Sequence, residues 1–333
     1  MSSFAPFSLL YPQQETLVPT QSPVNGPALF NRLLSTTSRQ TLGQLGASPH
    51  VFGYTQMPLR EGYLYQIQQG TTSTLGVLCQ LNNATPLTTH EETLVRRVDY
   101  FAHYLQEVRL QAEPVVVMHD HEEAHQFFQT WVQQRPPDCI RVLGDTHHRL
   151  WALDEATMQN VSAFFDSSTP LHLADGHHRY ASFKKAQQQQ QWRGGLFSFL
   201  VHHSDLTCAS FDWGLPHLPE KTLAALRQRP QSKAVAPNIS FRGDEWTLAF
   251  DCPNDQNPAR YITENLLDNQ ATDWEYFPPD AAADPRAVDV MISFRPLRYE
   301  EITATALAGE VLPPKSTYFT PKLPCGLFLL PMG

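Results

Sequence analysis

Strand-like and helix-like stretches alternate along this sequence without a regular βαβ period, and that order predicts an α+β fold of mixed sheets and helices. Two further observations support the class. The 333 residues are enough for one large or two ordinary domains whose cores need neither disulfide nor metal staples. Hydrophobic residues make up 41% of the chain, a share that belongs to a globular protein rather than a disordered one.

Taken in order, residues 11–31 carry Pro19, Pro23 and Pro27 among Gln, Ser and Thr and read as an irregular loop, because each proline fixes φ and removes a backbone donor. YLYQIQQ and LGVLCQL, separated by GTTST, then form a hairpin. Leu94, Val98, Phe101, Leu105 and Val108 recur at helical spacing within 91–112. A short buried strand at 114–120 leads to a helix over 122–134. RVLGDTHHRLWAL (141–153) is a second hairpin turning at Gly144-Asp145-Thr146, and a helix covers 155–166. LHLA is a strand, Gly176 a turn, and 177–192 a helix whose glutamines 187–191 make a solvated face. Strand 196–203, a helix near 220–228 and the strands NISFRG and EWTLAFD follow. A proline-bearing loop (Pro278, Pro279, Pro285) leads to strand 288–294, a helix at 298–308 and the closing segment GEVLPPKSTYFTPKLPCGLFLLP.

The charge balance excludes some functions. With 33 acidic and 24 basic side chains the net charge is −9, against the basic footprint of a nucleic-acid binder, yet a local basic pocket for an anion stays open. No apolar run approaches the roughly 20 residues that span a bilayer, and MSSFAPFSLLYPQQE lacks the basic start and long apolar stretch of a secretion signal. The five cysteines are far apart, odd in number and never at CxxC spacing, so reduced thiols in a cytoplasmic protein are expected.

Three segments could carry chemistry. In Asp175-Gly176-His177-His178-Arg179 an apolar strand ends in a glycine and a helix begins at once. The first helical amides have no intrahelical acceptor and the dipole favours negative charge there, so with Arg179 in the first turn the junction suits phosphate. Asp175 fits as the helix N-cap or as a holder of a metal riding on the phosphates; a capped helix with surface histidines is the plainer alternative. Zinc held by His172, Asp175, His177 and His178 is the weaker reading, because adjacent residues cannot all converge on one tetrahedral ion. In His90-Glu91-Glu92-Thr93, Thr89 or His90 would cap the helix and Glu91 or Glu92 would be first-turn acids, while a carboxylate beside an imidazole could also act as base or metal ligand. In residues 309–322, three prolines stiffen a loop bearing Lys315, Ser316, Tyr318 and Lys322, which suits an anionic ligand or an ordinary solvated loop. THHRLWAL echoes the HHR triplet without a helix after it, and His119, His121, His125, His202 and His203 show no ligand pattern.

These segments, in this order, resemble the domain-of-unknown-function family DUF1015. The resemblance lies in YQ at 65–66, HEET at 90–93, LADGHHRY at 173–180 and GEVLPPKSTYFTPKLPCGL at 309–327, and it spans roughly residues 60–333. The DGHHR element is similar to the phosphate-binding turn of the ParB/sulfiredoxin-like fold and to the DGHxR element of free serine kinases, which phosphorylate the hydroxyl of free serine. The resemblance implies a ParB/sulfiredoxin-like nucleotide-binding core at 61–210, a diverged N-terminal segment at 1–60 packed on it, and a C-terminal α+β region at 211–333. It implies that Gly176, His177, His178 and Arg179 contact the phosphates of ATP or ADP, with Asp175 near the metal or the acceptor hydroxyl. Glu91 and His90 match the family's HE pair, and Lys315, Ser316, Tyr318 and Lys322 its closing motif; nucleotide binding by the latter, catalysis by Glu91, His90 and Asp175, and magnesium at Asp175 and Glu91 are inferred from the side chains themselves, not carried over from the family. The implied activity is a nucleotide-dependent phosphotransferase acting on a small hydroxylated metabolite. The sequence departs from the family in its VPTQSPVNG stretch, where members carry PPYDV; Asp99-Tyr100 stands for the family's Asp-Arg, and GLPHL for a PTHR-like segment. The missing acid favours a non-catalytic nucleotide-binding regulator as the second reading, and a metal-dependent hydrolase using the His-rich turn is the third.

Overall fold

The computed structural model describes residues 4–12, 54–166, 169–189, 194–234, 237–243, 246–253, 256–267, 274–279 and 288–331. Most of the proline-rich stretch, VPTQSPVNG, Pro285 and glutamines 190 and 191 lie outside them. The chain divides into two compact units, one of residues 1–89, 93–206 and 321–333, the other of residues 90–92 and 207–320.

The first unit is organised by one seven-stranded sheet. Its strands are β1 (Gly62–Gln69), β2 (Thr72–Leu81), β3 (Val115–His119), β4 (Cys139–Leu143), β5 (Thr146–Ala152), β6 (His172–Asp175) and β7 (Leu196–His202), in the spatial order β4-β5-β1-β2-β7-β3-β6. Both expected hairpins form: β1 and β2 pair antiparallel from Gly62↔Cys79 to Gln69↔Thr72, and β4 and β5 from Cys139↔Leu150 to Leu143↔Thr146. Only β7 and β3 run parallel, in a register that sets His202 against His119. Every residue of both strands is buried. That explains why VVVM reads as a continuous apolar run rather than an alternating one. Small ribbons join Leu10–Pro12 to Tyr54–Gln56 and Leu110–Gln111 to Leu330–Pro331.

Among the described residues, four α-helices serve this unit: α1 (Val95–Val108), α2 (Glu122–Gln133), α3 (Glu155–Phe164) and α4 (His177–Gln188). Helix α1 buries Ala102, Tyr104, Leu105 and Val108 and stops where Arg109 turns left-handed (φ 54), its N–H bonding Leu105 O. Asp154 caps α3 by accepting from Thr157 N at 2.8 Å. Leu64, Val77, Val117, Phe128, Val161 and Leu200 lie in the core under these helices.

The second unit holds a five-stranded sheet of β8 (Asp212–Leu215), β9 (Ile239–Arg242), β10 (Thr247–Phe250), β11 (Glu275–Phe277) and β12 (Val290–Phe294), ordered β10-β9-β12-β8-β11 and antiparallel throughout. Helices α5 (Glu220–Gln228) and α6 (Tyr299–Leu307) belong to it, and Trp213, Leu226, Phe241, Ile262 and Ile292 form its core. A ribbon pairs Thr207–Ala209 with Tyr318–Thr320. The protein is therefore α+β, with mixed sheets.

One local expectation is corrected. Residues 90–92 do not open a helix: Leu312 N bonds His90 O at 2.7 Å and Glu92 N bonds Leu312 O at 2.9 Å, so the HEE segment is extended and pairs with the closing segment. Helix α1 begins at Val95 with Leu94 as N-cap and no acid in its first turn. The backbone groups that would have started the helix are already used in a ladder.

Candidate functional site

The strand–turn–helix expected around Gly176 is present, with one change in its parts. Strand β6 runs through Asp175, so Gly176 itself is the N-cap of α4, at φ 97, and Asp175 makes no cap. Only glycine sits there without penalty. The φ is left-handed, and a Cβ would lie 2.8 Å from Val115 Cγ1 and 2.9 Å from Arg179 NH2. The second contact locates the guanidinium: Arg179 folds back across the turn instead of reaching away from it.

Arg179 is held in that pose by carboxylates. Its NH2 donates to Asp175 Oδ2 at 3.0 Å, and NH1 contacts Glu113 Oε1. Lys322 Nζ donates to the other oxygen of Asp175, Oδ1, at 3.0 Å. The lysine of the closing segment therefore reaches the turn expected from sequence. Burial pushes the Arg179 guanidinium down to about 10, still cationic at neutral pH. Glu113 was not legible as a member of this group. It lies in AEPVVV, a stretch whose only sequence signal is the strand that follows it.

The two imidazoles of the motif turn inward. His177 is 6% exposed and His178 9%. His178 Nε2 accepts from Leu94 N at 2.9 Å, supplying α1 with the cap that its own sequence lacks, and Ser182 Oγ donates to Val98 O at 2.9 Å from the same face of α4. The side chains of the two motifs found beside the turn are therefore Arg179 and Lys322. Upstream, Thr88 bridges to β6 and its hydroxyl meets His172 Nδ1 at 2.6 Å, fixing the strand that delivers Asp175.

The other expected residues gather in the second unit. Glu91 is 7% exposed, and its Oε2 accepts from Thr317 N at 3.3 Å and Thr317 Oγ1 at 3.1 Å. His90 Nε2 lies 3.0 Å from the same hydroxyl. The HE pair and the closing motif thus form one buried polar network. Burial first, and then the Glu91 and Glu92 carboxylates, push the Tyr276 hydroxyl up to about 12. Lys315 sits in a left-handed conformation (φ 63), an uncommon state for a non-glycine residue. Its ammonium lies 5.0 Å from the centre of the Phe211 ring and its carbonyl accepts from Trp213 Nε1 at 3.0 Å. Ser316 is buried, its hydroxyl donating to Pro313 O at 2.7 Å, and Tyr318 packs against Phe211 at 5.1 Å.

The magnesium expectation does not fit the donors found. Both oxygens of Asp175 bond cationic side chains, and Glu91 Oε2 takes two protein donors. Among the described residues no three His, Cys, Asp or Glu side chains are disposed to hold a metal ion. The zinc reading fails on the same ground.

A histidine group that spacing alone does not reveal lies at the carboxyl ends of β3 and β7. The His125 and His202 rings stack at 4.6 Å, and His119 and His203 lie 5.5 and 4.7 Å from His202. Asp205 and Glu122 stand 3.6 Å from His125 and His202 respectively. Burial, then the neighbouring imidazoles, holds His119 well below the ordinary histidine range, and His202 is lowered for the same reasons. None of the five cysteines is joined in a disulfide, and no helix among the described residues is long and apolar enough to cross a membrane.

Residues 54–208 match the family described as "Protein of unknown function (DUF1015)"; the closing motif lies beyond the matched stretch. No curated protein matches the chain. Among solved structures it is similar to SbnI with a C-terminal truncation from Staphylococcus aureus, at 14% identity over 72% of this chain and 81% of that one, with a TM-score of 0.47. It is also similar to free serine kinase in complex with AMP, at 13% identity over 74% and 88% with a TM-score of 0.43. A conserved hypothetical protein from Pyrococcus furiosus matches at 14% over 72% and 89%, with a TM-score of 0.42.

Proposed function

We propose that this chain, whose residues 54–208 carry the domain of the DUF1015 family, is a nucleotide-dependent phosphotransferase that moves a phosphoryl group onto the hydroxyl of a small metabolite. Free serine or a related hydroxy amino acid is the favoured acceptor, and ATP or ADP the donor. One observation carries the reading: at Gly176 a left-handed turn opens a helix mouth, and Arg179 and Lys322 converge beside it on a single carboxylate. First-turn amides and the helix dipole favour an anion there, and a guanidinium can grip phosphate oxygens in pairs. Phosphoryl transfer requires little covalent chemistry from protein; it requires charge neutralisation, positioning and a group to take the hydroxyl proton.

In this proposal His177 and His178 contribute backbone amides, since their side chains are buried. Magnesium enters as the nucleotide's own counter-ion and not as a resident of the protein.

The test is calorimetric titration of ADP and ATP into the parent and Arg179→Ala proteins. Loss of binding by at least tenfold in the variant supports the site; unchanged affinity rejects it. The second reading, a non-catalytic nucleotide-responsive regulator, is favoured by VPTQSPVNG standing where the family has an acid. Mass spectrometry after incubation with ATP, magnesium and hydroxy amino acids separates the two. A phosphorylated product supports the transferase, and tight binding without product the regulator.

A further inference from the structure

Among the described residues, four charged side chains around the turn form an alternating row: Lys322, Asp175, Arg179 and Glu113. Two cations and two carboxylates leave the row neutral, which does not suit a site meant to attract phosphate. Asp175 is shared between Lys322 and Arg179, so it helps to bring both cations to one place. Glu113 does not. Its carboxylate meets Arg179 alone among the cations of the row and takes the NH1 edge of the guanidinium. Arg179 Nε is buried with no partner among the described residues, so the fork is only partly used.

Glu113 is also held in place by its surroundings. It precedes Pro114, which restricts it to extended backbone, and β3 starts one residue later. Val116 of that strand pairs with Asp175, and Val115 lies against the position a Gly176 Cβ would take. The same strand that supports the turn thus presents a carboxylate to the guanidinium.

We propose that Glu113 is a positioning residue that regulates this anion site: it docks Arg179 across the turn when no ligand is present and is displaced when phosphate oxygens take the guanidinium. The inference rests on the proposed phosphate site. Glu113 touches no reacting atom; it acts through Arg179. Its negative charge stands beside the incoming anion, and at an effective dielectric near 20–40 such a repulsion a few ångströms away, partly screened at a half-exposed site, weakens binding by roughly three- to tenfold. Removing the charge while keeping an amide acceptor should return that factor.

The experiment measures ADP and inorganic pyrophosphate affinity of parent, Glu113→Gln, Glu113→Asp and Arg179→Ala proteins at low and high salt, with unfolding midpoints recorded for each. The expected result is about three- to tenfold tighter binding of both ligands by Glu113→Gln and a steeper fall of its affinity with salt, because the site gains net positive charge. Glu113→Asp, which keeps the charge, should bind like the parent. A merely structural Glu113 would give weaker binding and a lowered midpoint in both variants, with no change in salt dependence. Equal or weaker binding by a folded Glu113→Gln, while the parent binds and Arg179→Ala does not, overturns the displacement and leaves the phosphate site standing. Absence of binding by parent and Glu113→Gln alike overturns both.

Discussion

Replacing Gly176 by alanine tests the geometry on which the site depends. Alanine at φ 97 leaves its preferred backbone region, which costs about 1–2 kcal/mol. Its Cβ would also stand 2.8 Å from Val115 Cγ1 and 2.9 Å from Arg179 NH2, nearer than packed atoms tolerate. Val115 lies in a fully buried strand and cannot withdraw. The guanidinium can, but only by leaving Asp175 or Glu113. Overpacking of this kind costs roughly 1–3 kcal/mol, so the whole change amounts to about 2–5 kcal/mol against domain stabilities of about 5–15 kcal/mol. Urea unfolding followed by circular dichroism reads it, with the first transition fitted separately because a chain of two units need not melt in one step. In an Arg179→Ala background the arginine part of the overlap is gone, so the glycine substitution should lose about 1 kcal/mol less there than in the parent. A midpoint within error of the parent, or strict additivity of the two substitutions, would show that Arg179 does not lie over Gly176.

The second unit and the histidines give two further predictions. Thr317→Val removes the hydroxyl that donates to Glu91 Oε2 at 3.1 Å and meets His90 Nε2 at 3.0 Å; a buried carboxylate left short of a donor should lower the unfolding free energy by about 1–3 kcal/mol, whereas Thr317→Ser should restore most of it. Stability should also fall on acidification. Burial lowers His148 to about 4 and depresses His119 and His202, so below the unfolded-state value near 6.5 the unfolded chain binds protons that the native one does not. For His148, each unit of pH between that value and about 4 should remove about 1.4 kcal/mol, and His119 and His202 add to the loss in the same direction. Denaturant midpoints measured from pH 8 to 5 check the sign, and a flat or rising profile towards acid would contradict it.

Features with a local cause were legible in the sequence. The turn of β4 and β5 at Gly144 and Asp145, the apolar β3 and the reversal at Gly176 each follow from residues next to one another, and each lies within a residue or two of its expected place. What was not legible arises from pairing across distance. Thr317 reaches Glu91 over 226 positions. The histidines at 119 and 202 become neighbours only because β3 and β7 lie side by side in parallel, a register that no spacing within either strand encodes. Glu113 looks like an ordinary surface acid before a proline until β3 is laid against β6.

The HEET segment shows how a sound local rule can lose. Acids just before an apolar helical run match the signature of a helix start, and nothing within residues 89–98 argues otherwise. A helix there would have had to leave the backbone groups of Leu312 without the partners they find in His90 and Glu92. Pairing satisfies both segments and carries Glu91 into a buried network with Thr317, while His178 from another helix caps α1 at Leu94 in place of the missing local cap. Two motifs that each resemble a surface feature in isolation, HEET and DGHHR, therefore do structural service for segments distant in sequence. Substitutions in either should be judged by the partner segment's stability before any loss of activity is assigned to chemistry.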